Sequence, residues 1–197
     1  PEAQLVETRI INLLQFQVII ASKAARVRLA APGKLLVDFG LRRAHGAEAG
    51  LLSARASYLA GLDGTSNVQA GMQWGIPLYG TMAHSYIQAH GAELEAFESF
   101  VRSQPAASTV LLDTYDTEAA ARKLVPLAQR LAREGIAVGG VRIDSGDLGA
   151  LARSVRRILD GGGLRAVKIF VSGNLDEHRV RELVAGGAPI DGFGVGT

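Results

Sequence analysis

The second half of the chain alternates short apolar segments with helical segments, and this limits the possible folds more than any other sequence feature. Apolar, β-rich stretches lie at 108–112, 136–143, 167–171 and 191–195, and a stretch with helical spacing of its apolar residues separates each pair. A parallel strand pair needs a crossover, which is usually a helix. The sequence therefore predicts an α/β fold with a parallel sheet.

The first half adds further βα units to this pattern. An apolar segment at 34–37 ends at Asp38, and a second strand is predicted at 75–79, before a helix at 84–92. Six or seven units in all predict an incomplete (β/α) barrel, because closing such a barrel takes about eight strands. We assign 1–33 to the helical part of an N-terminal domain and 34–197 to the truncated barrel.

Three local patterns predict details of the helices. Apolar residues at helical spacing over 4–28 predict a long, mostly buried helix, and the uncharged part, 10–22, is too short for a membrane span. Asp147 is expected to cap the helix that follows it, and Asn174 with Glu177 fits a capping box. Pro126 predicts a kink or two shorter helices.

Composition excludes several classes of function. The 197 residues contain no Cys, so disulfides, thiolate catalysis and Cys-based zinc sites are excluded. The net charge of +2, with scattered basic residues, gives no reason to expect nucleic acid. The His, Asp and Glu residues show no zinc spacing, and no Ser lies in a nucleophile elbow.

Small and polar residues follow the predicted strands. In a barrel the carboxyl ends of the strands share one face, so these residues are expected to form one site. Two loops, 172–174 and 194–197, contain Gly and suit either a phosphate or a tight turn. We favour phosphate because late strands of barrels often hold it. Arg142 and Asp144 could bind hydroxyls, an anion or a metal, or simply pair with each other.

One of the four histidines occupies a favourable place. His84 follows a predicted strand and precedes Ser85, whereas His90 and His178 lie on polar helices. The position of His84 in the sequence does not by itself distinguish a catalytic role from a structural one. A barrel aldolase or isomerase acting on a sugar phosphate is an alternative reading, with Lys168 as its Schiff-base candidate.

Taken together, the motifs resemble the nicotinate phosphoribosyltransferase family, which belongs to the type II phosphoribosyltransferases. The resemblance covers essentially the whole chain. Its motifs are Asn12–Gln17 with Ala21–Arg26, Asp38–Gly46, Gly64–Asn67, Gly80–Ser85, Asp113–Asp116, Val141–Leu148 and Phe193–Thr197.

The resemblance implies an activity and a set of partners. Nicotinate would attack the anomeric carbon of phosphoribosyl pyrophosphate (PRPP), and pyrophosphate would leave with Mg²⁺. The protein ligand of Mg²⁺ is not determined, and Asp113 and Asp144 are the two candidates. ATP would be a co-substrate that phosphorylates His84. The family also implies a cytoplasmic homodimer with a shared active site, without nucleic acid or membrane contact.

The resemblance also implies roles for individual residues. Phe39 would stack on the pyridine ring, Arg42 would lie near a substrate phosphate, and Ser66 would donate to the carboxylate of nicotinate, where the similar nicotinamide enzymes carry an acid. Arg142 and Asp144 would lie beside the pyridine ring and the ribose hydroxyls. Further substrate contacts are expected from Thr65, Ser85 and Asp113. Phosphate contacts are expected from Ser172, Gly173, Asn174, Gly194, Gly196 and Thr197.

The sequence also departs from the family pattern. The family's N-terminal segment, with a Tyr that reaches a neighbouring subunit's site, and everything after Thr197 have no counterpart here. We therefore expect a portion of a longer enzyme. A catalytically silent fragment that needs the missing regions is the alternative.

Overall fold

A computed structural model describes residues 2–106 and 108–196 of the chain. Its regular elements alternate as predicted from the second half of the sequence. The helices are α1 Glu2–Ala30, α2 Ala47–Leu59, α3 Val68–Trp74, α4 His84–Gln88, α5 Glu93–Ser103, α6 Thr117–Arg133, α7 Leu148–Gly161 and α8 Glu177–Ala185. The strands are β1 Leu35–Asp38, β2 Gly64–Thr65, β3 Thr109–Leu111, β4 Gly140–Ile143, β5 Lys168–Val171 and β6 Gly192–Val195.

The strands form one six-stranded sheet in the order β2-β1-β6-β5-β4-β3. The pairs β1–β2, β3–β4, β4–β5 and β5–β6 are parallel. Phe39 N donates to Val195 O at 2.8 Å, just beyond the ends of β1 and β6. These findings confirm the α/β class and the incomplete barrel. The segment predicted as a strand at 75–79 instead forms only an isolated bridge between Leu78 and Thr65.

The chain divides into two compact units. Unit 1 contains the described residues up to Tyr79, together with Asn174–Arg181 and those from Gly194 onward. Unit 2 contains the described residues of Gly80–Gly173 and Glu182–Phe193.

Unit 2 is built on apolar strands covered by two capped helices. Asp116 accepts from Ala119 N at 2.7 Å, which starts α6, and Asp147 accepts from Ala150 N at 3.1 Å, which starts α7 as predicted. The helix α6 fully buries Leu124 and Leu131, each of which contributes roughly 1.5–3 kcal/mol. Pro126 lies inside α6, which is one continuous helix and not two shorter ones.

Unit 1 departs from the predicted burial of its first helix. In α1 the buried side chains are Ala24, Val27 and Ala30, near its carboxyl end, whereas Leu5 is 84% exposed. The apolar positions of the amino-terminal half are exposed because no described element covers them. By length and hydropathy alone α1 could cross a membrane. The expectation of no membrane contact therefore stays a prediction.

The start of α8 also differs from the sequence prediction. Asp176 Oδ1, not Asn174, accepts from the backbone N–H groups of His178 and Arg179. Asn174 has a φ of 48°, and its side chain accepts from Arg43 Nη2 at 2.7 Å. Asn and Asp are both good caps by type, so composition alone did not identify which of the two adopts the capping geometry.

Glu177 joins α8 to α1 within unit 1. Lys23 Nζ lies 2.9 Å from one carboxylate oxygen and Arg26 Nε lies 2.8 Å from the other. Hydrogen bonds from Lys23 and then Arg26 lower the pKa of Glu177 from 4.5 to about 2. Since the folded-state pKa is depressed, the stabilisation is present above pH 4.5 and is lost as the pH falls towards 2.

We predict that Glu177→Gln lowers the free energy of unfolding at neutral pH by about 1–2 kcal/mol. This loss lies between those that usually follow from breaking an exposed ion pair and a buried ion pair. The variant should also lose less stability between pH 4.5 and 2 than the parent. Urea unfolding at several pH values measures both effects. Glu7→Gln, on the exposed part of α1, is the matched control. Identical pH profiles for Glu177→Gln and the parent would contradict the prediction.

Candidate active site

In unit 2 an arginine and an aspartate meet at the carboxyl ends of two neighbouring strands. Ile143 of β4 is paired with Val171 of β5, so the residues after each strand are adjacent. Arg142 Nη2 lies 2.8 Å from Asp144 Oδ1, and Arg142 Nε donates to Ser172 Oγ at 2.7 Å. The structure thus brings together three residues that the sequence assigned to the site.

The guanidinium group of Arg142 has acceptors from three segments of the chain. Besides Asp144 and Ser172, Thr81 Oγ1 accepts from Arg142 Nη1 at 2.7 Å. The side chain is only 13% exposed, and a buried cation needs such partners to offset the loss of water. The sequence placed Thr81 with His84 and Ser85 among the polar residues expected at this face, but it gave Thr81 no individual role.

Asp144 is held as a carboxylate. Ser172 Oγ donates to Asp144 Oδ1 at 2.5 Å. Burial opposes ionisation, but the hydrogen bonds from Ser172 and then Arg142 outweigh it and lower the pKa of Asp144. The other carboxylate oxygen, Oδ2, lies 3.7 Å from Nε2 of His84.

His84 begins α4 and is contacted at both ring nitrogens. Its Nδ1 lies 3.2 Å from Thr114 Oγ1, on the opposite side from Asp144. The side chain is 42% exposed, so the ring is held by neighbours yet remains open to a reactant. Ser85, next along α4, is also exposed.

Asp113 supports the loop after β4. One oxygen, Oδ2, accepts from Asp144 N at 3.0 Å and from Ser145 Oγ at 2.5 Å. The other, Oδ1, is buried without a hydrogen-bond partner in the described part of the chain. Asp113 therefore holds the segment that carries Asp144, while its other carboxylate oxygen has no partner among the described residues.

Gly173 is required by a close approach of two loops. Its φ is +93°, and a Cβ at this position would lie 2.0 Å from Asp144 O. Any side chain would push the loop after β5 away from Asp144. The glycine is thus explained by packing, whatever the loop binds.

In unit 1, Asp38 organises the residues predicted to contact substrate. Its Oδ2 accepts from Thr65 Oγ1 at 2.7 Å and its Oδ1 accepts from Gly40 N at 3.0 Å. Burial raises the pKa of Asp38, and the hydrogen bonds from Thr65 and Gly40 offset part of that effect. Ser66 Oγ donates to Asp38 O at 3.2 Å, so its hydroxyl must rotate before it can donate elsewhere.

A cavity of about 210 Å³ lies in unit 1 beside the carboxyl ends of β1 and β6. Its polar lining includes Lys23, Arg43, His45 and Asp38, and Gly196 also lines it. A Cβ on Gly196 would lie 2.8 Å from Phe39 O, so the glycine allows these two segments to touch. The basic side chains could attract an anion, but Asp38 lies in the same lining and Lys23 is paired with Glu177, so the cavity does not test the phosphate prediction for this loop.

The predicted site residues fall into two groups, and their roles stay predictions. Thr197 lies outside the described residues. The group in unit 2 is His84, Ser85, Asp113, Arg142, Asp144, Ser172 and Gly173. The group in unit 1 is Phe39, Arg42, Thr65, Ser66, Asn174, Gly194 and Gly196. Sequence reasoning assigned no role to Thr81, Thr114 or Asp38, whose contacts appear only once the segments are placed side by side.

Two alternative chemistries can be compared with this geometry. Lys168 is the first residue of β5, at the end of the strand opposite to Ser172, and its Nζ lies 3.2 Å from Asp191 Oδ1. This placement does not suit a Schiff base beside Asp144.

Among residues 2–106 and 108–196, no group of three His, Asp or Glu side chains could hold a metal ion.

The whole chain is similar in sequence to curated nicotinate phosphoribosyltransferases. It is 53% identical over 196 residues to nicotinate phosphoribosyltransferase pncB2 of Mycobacterium tuberculosis, covering 100% of this chain and 42% of that protein. It is 42% identical over 199 residues to the Bacillus subtilis nicotinate phosphoribosyltransferase, covering 100% of this chain and 40% of that protein. The chain therefore spans less than half the length of these curated relatives.

Family and structural comparisons agree with the sequence relatives. Residues 35–197 match the nicotinate phosphoribosyltransferase (NAPRTase) family. The fold superposes on the crystal structure of human nicotinic acid phosphoribosyltransferase with a TM-score of 0.88 and 30% identity. The superposition covers 98% of this chain and 50% of that one.

We predict that Ser172→Ala raises the pKa of Asp144, because it removes a hydrogen-bond donor to the carboxylate. It should also lower the free energy of unfolding by about 1–3 kcal/mol, since Arg142 Nε loses its acceptor. Carboxyl ¹³C shifts and urea unfolding measure the two effects. Ser103→Ala, at the exposed end of α5, should change the free energy of unfolding by less than about 0.5 kcal/mol. Equal losses in both variants would contradict the assigned network.

Proposed function

The chain belongs to the nicotinate phosphoribosyltransferase family, and we propose that its full protein makes nicotinate mononucleotide from nicotinate and PRPP in an ATP-coupled reaction. The observation that carries the coupling is the environment of His84. The ring is partly exposed and is held between Thr114 and Asp144. A neutral imidazole is a nucleophile near physiological pH, so it suits a transient phosphoryl acceptor.

The glycosyl transfer itself needs positioning and charge stabilisation. The ring nitrogen of nicotinate forms a bond to the anomeric carbon of PRPP as the bond from that carbon to pyrophosphate breaks. Positive charge develops on the ribose in the transition state, and a fixed carboxylate such as Asp144 would stabilise it. Arg142 holds Asp144 in place and would orient the pyridine ring and the ribose hydroxyls.

Mg²⁺ fits this proposal as a partner of pyrophosphate. Mg²⁺ is usually bound by one or two carboxylates together with substrate phosphates and water, and it does not need a protein cage. Asp113 Oδ1, which is buried and lacks a partner in the described residues, is the carboxylate oxygen that could contribute. The ion would neutralise charge on the departing pyrophosphate.

The proposed coupling requires phosphate transfer to His84. We expect incubation with γ-³²P-ATP to label the protein in an acid-labile form, and His84→Ala to abolish the label. His90→Ala is the matched control, because His90 lies just after the same short helix and its Nδ1 contacts Tyr86 O at 2.8 Å. A label that persists unchanged in His84→Ala would refute the assignment.

The proposed substrate preference rests on Ser66. An acid at this position would repel the carboxylate of nicotinate. Ser66→Asp should therefore lower the ratio of kcat/KM for nicotinate to kcat/KM for nicotinamide by at least about tenfold. Steady-state kinetics with both substrates measure the ratio, and Ser103→Asp controls for the added charge. Unchanged use of nicotinate by Ser66→Asp would exclude this role.

A catalytically silent fragment is the competing proposal, because the chain covers only 40–42% of its curated relatives. Incubating the folded chain with nicotinate, PRPP, Mg²⁺ and ATP, and measuring mononucleotide, distinguishes the two. Formation of product excludes the silent fragment. Its absence, with His84 still labelled by ATP, would place the missing requirement in the transfer step.

The remaining expectations from the resemblance are part of the same proposal. We infer that the full protein is a cytoplasmic homodimer with a shared active site. This inference rests on family membership alone, and no contact within this chain supports it. Sedimentation of the full-length protein tests the dimer. A monomer that retains full activity would exclude the shared site.

A further inference from the structure

Within residues 2–106 and 108–196, Thr114 supplies the only side-chain hydroxyl within hydrogen-bond distance of the His84 ring. It lies in the turn between β3 and α6, directly after Asp113. Its Oγ1 is 3.2 Å from Nδ1 of His84, while the carboxylate of Asp144 faces the other ring nitrogen, Nε2, at 3.7 Å. The two contacts are different in kind, because a hydroxyl can donate or accept whereas a carboxylate can only accept.

The carboxylate determines where the proton of the neutral ring resides. Asp144 already accepts from Ser172 and Arg142, and both partners favour its ionised form. A lone pair on Nε2 would face this negative oxygen, whereas an N–H at Nε2 points its positive end towards it. The proton therefore belongs on Nε2, which leaves the lone pair on Nδ1. The Thr114 hydroxyl then serves as the donor.

We propose that Thr114 is a positioning residue for His84: its hydroxyl donates to Nδ1 and fixes the orientation of the ring in which the charge of Asp144 keeps the proton on Nε2. The distance of 3.7 Å to Asp144 is too long for a good hydrogen bond, so the carboxylate acts mainly through its charge. The directional contact comes from Thr114. Neither residue alone fixes both the orientation of the ring and the place of its proton.

The chemical consequence rests on the proposed function. Only a nitrogen with a lone pair can accept a phosphoryl group, and in this tautomer that nitrogen is Nδ1. As the N–P bond forms, the bond from the γ-phosphorus to the bridging oxygen of ATP breaks, and ADP leaves with the electron pair. The Thr114 hydroxyl rotates away from Nδ1 during this step. Thr114 therefore prepares the ring before the reaction and takes no part in bond making.

Nitrogen NMR tests the tautomer without requiring activity. The chain is labelled with ¹⁵N-histidine and measured at rising pH until the ring signals stop changing, which marks the neutral ring. His84→Ala identifies the signals. We expect the Nε2–H tautomer in the parent chain and in Thr114→Ser. In Thr114→Val the ring loses its directional contact, so Nε2 is no longer held towards Asp144, and the preference for the Nε2–H tautomer should fall roughly fivefold.

Thr109→Val is the matched control, because Thr109 lies at the opposite end of β3. It should leave the His84 tautomer unchanged. Thr114→Ala is a second variant in case Val perturbs the turn, which circular dichroism would reveal. An Nδ1–H tautomer in the parent chain, or an unchanged ratio in Thr114→Val and Thr114→Ala, would overturn the inference.

Labelling with γ-³²P-ATP separates this inference from the proposed function. Thr114→Val should slow the labelling of His84 roughly fivefold with little change in the KM for ATP, and Thr114→Ser should restore it. If Thr114→Val changes the tautomer but not the labelling rate, Thr114 does not position His84 for the reaction. If the parent chain is never labelled, the proposed coupling fails, while NMR still decides the tautomer.

Discussion

The ion pair between Arg142 and Asp144 is the interaction on which the arrangement of unit 2 depends. A guanidinium with 13% of its side chain exposed is stable only where its N–H groups find acceptors. Those acceptors come from three separate places: Thr81 before α4, Asp144 after β4 and Ser172 after β5. Supplying acceptors for the largely buried guanidinium of Arg142 therefore fixes the relative positions of three loops.

The position of His84 follows from this constraint. Thr81 precedes His84 by three residues, so the contact from Arg142 fixes the approach to α4. Asp144 in turn is held by Arg142 and Ser172, and it presents its free oxygen to the imidazole. Removing one member of such a network leaves another charge buried without a partner, which generally costs more than the intact pair contributes. The geometry around the imidazole thus depends on residues that never touch it.

Sequence reasoning succeeded where a short-range rule decides the structure. The cap at Asp147 and the alternation of strands and helices depend on neighbours within a few residues. It failed where a distant partner decides. The spacing of apolar residues in α1 indicated a face that could be buried but not whether a partner covers it, and Asn174 contacts Arg43 instead of capping α8. Thr114 was missed for the same reason, because 30 residues separate it from His84.

The division into two units separates two parts of the proposed chemistry. The residues around His84, from Thr81 to Ser172, all belong to unit 2, whereas Phe39 and Ser66 belong to unit 1. The proposed phosphorylation of His84 would depend on the tautomer and orientation of one ring, and the hydrogen bonds that hold this ring lie within unit 2. The proposed discrimination between nicotinate and nicotinamide would depend on Ser66, whose hydroxyl donates to the backbone of Asp38 in unit 1. Changes at Thr114 should therefore alter labelling and leave the preference for the pyridine unchanged, because the two properties rest on different hydrogen-bond networks.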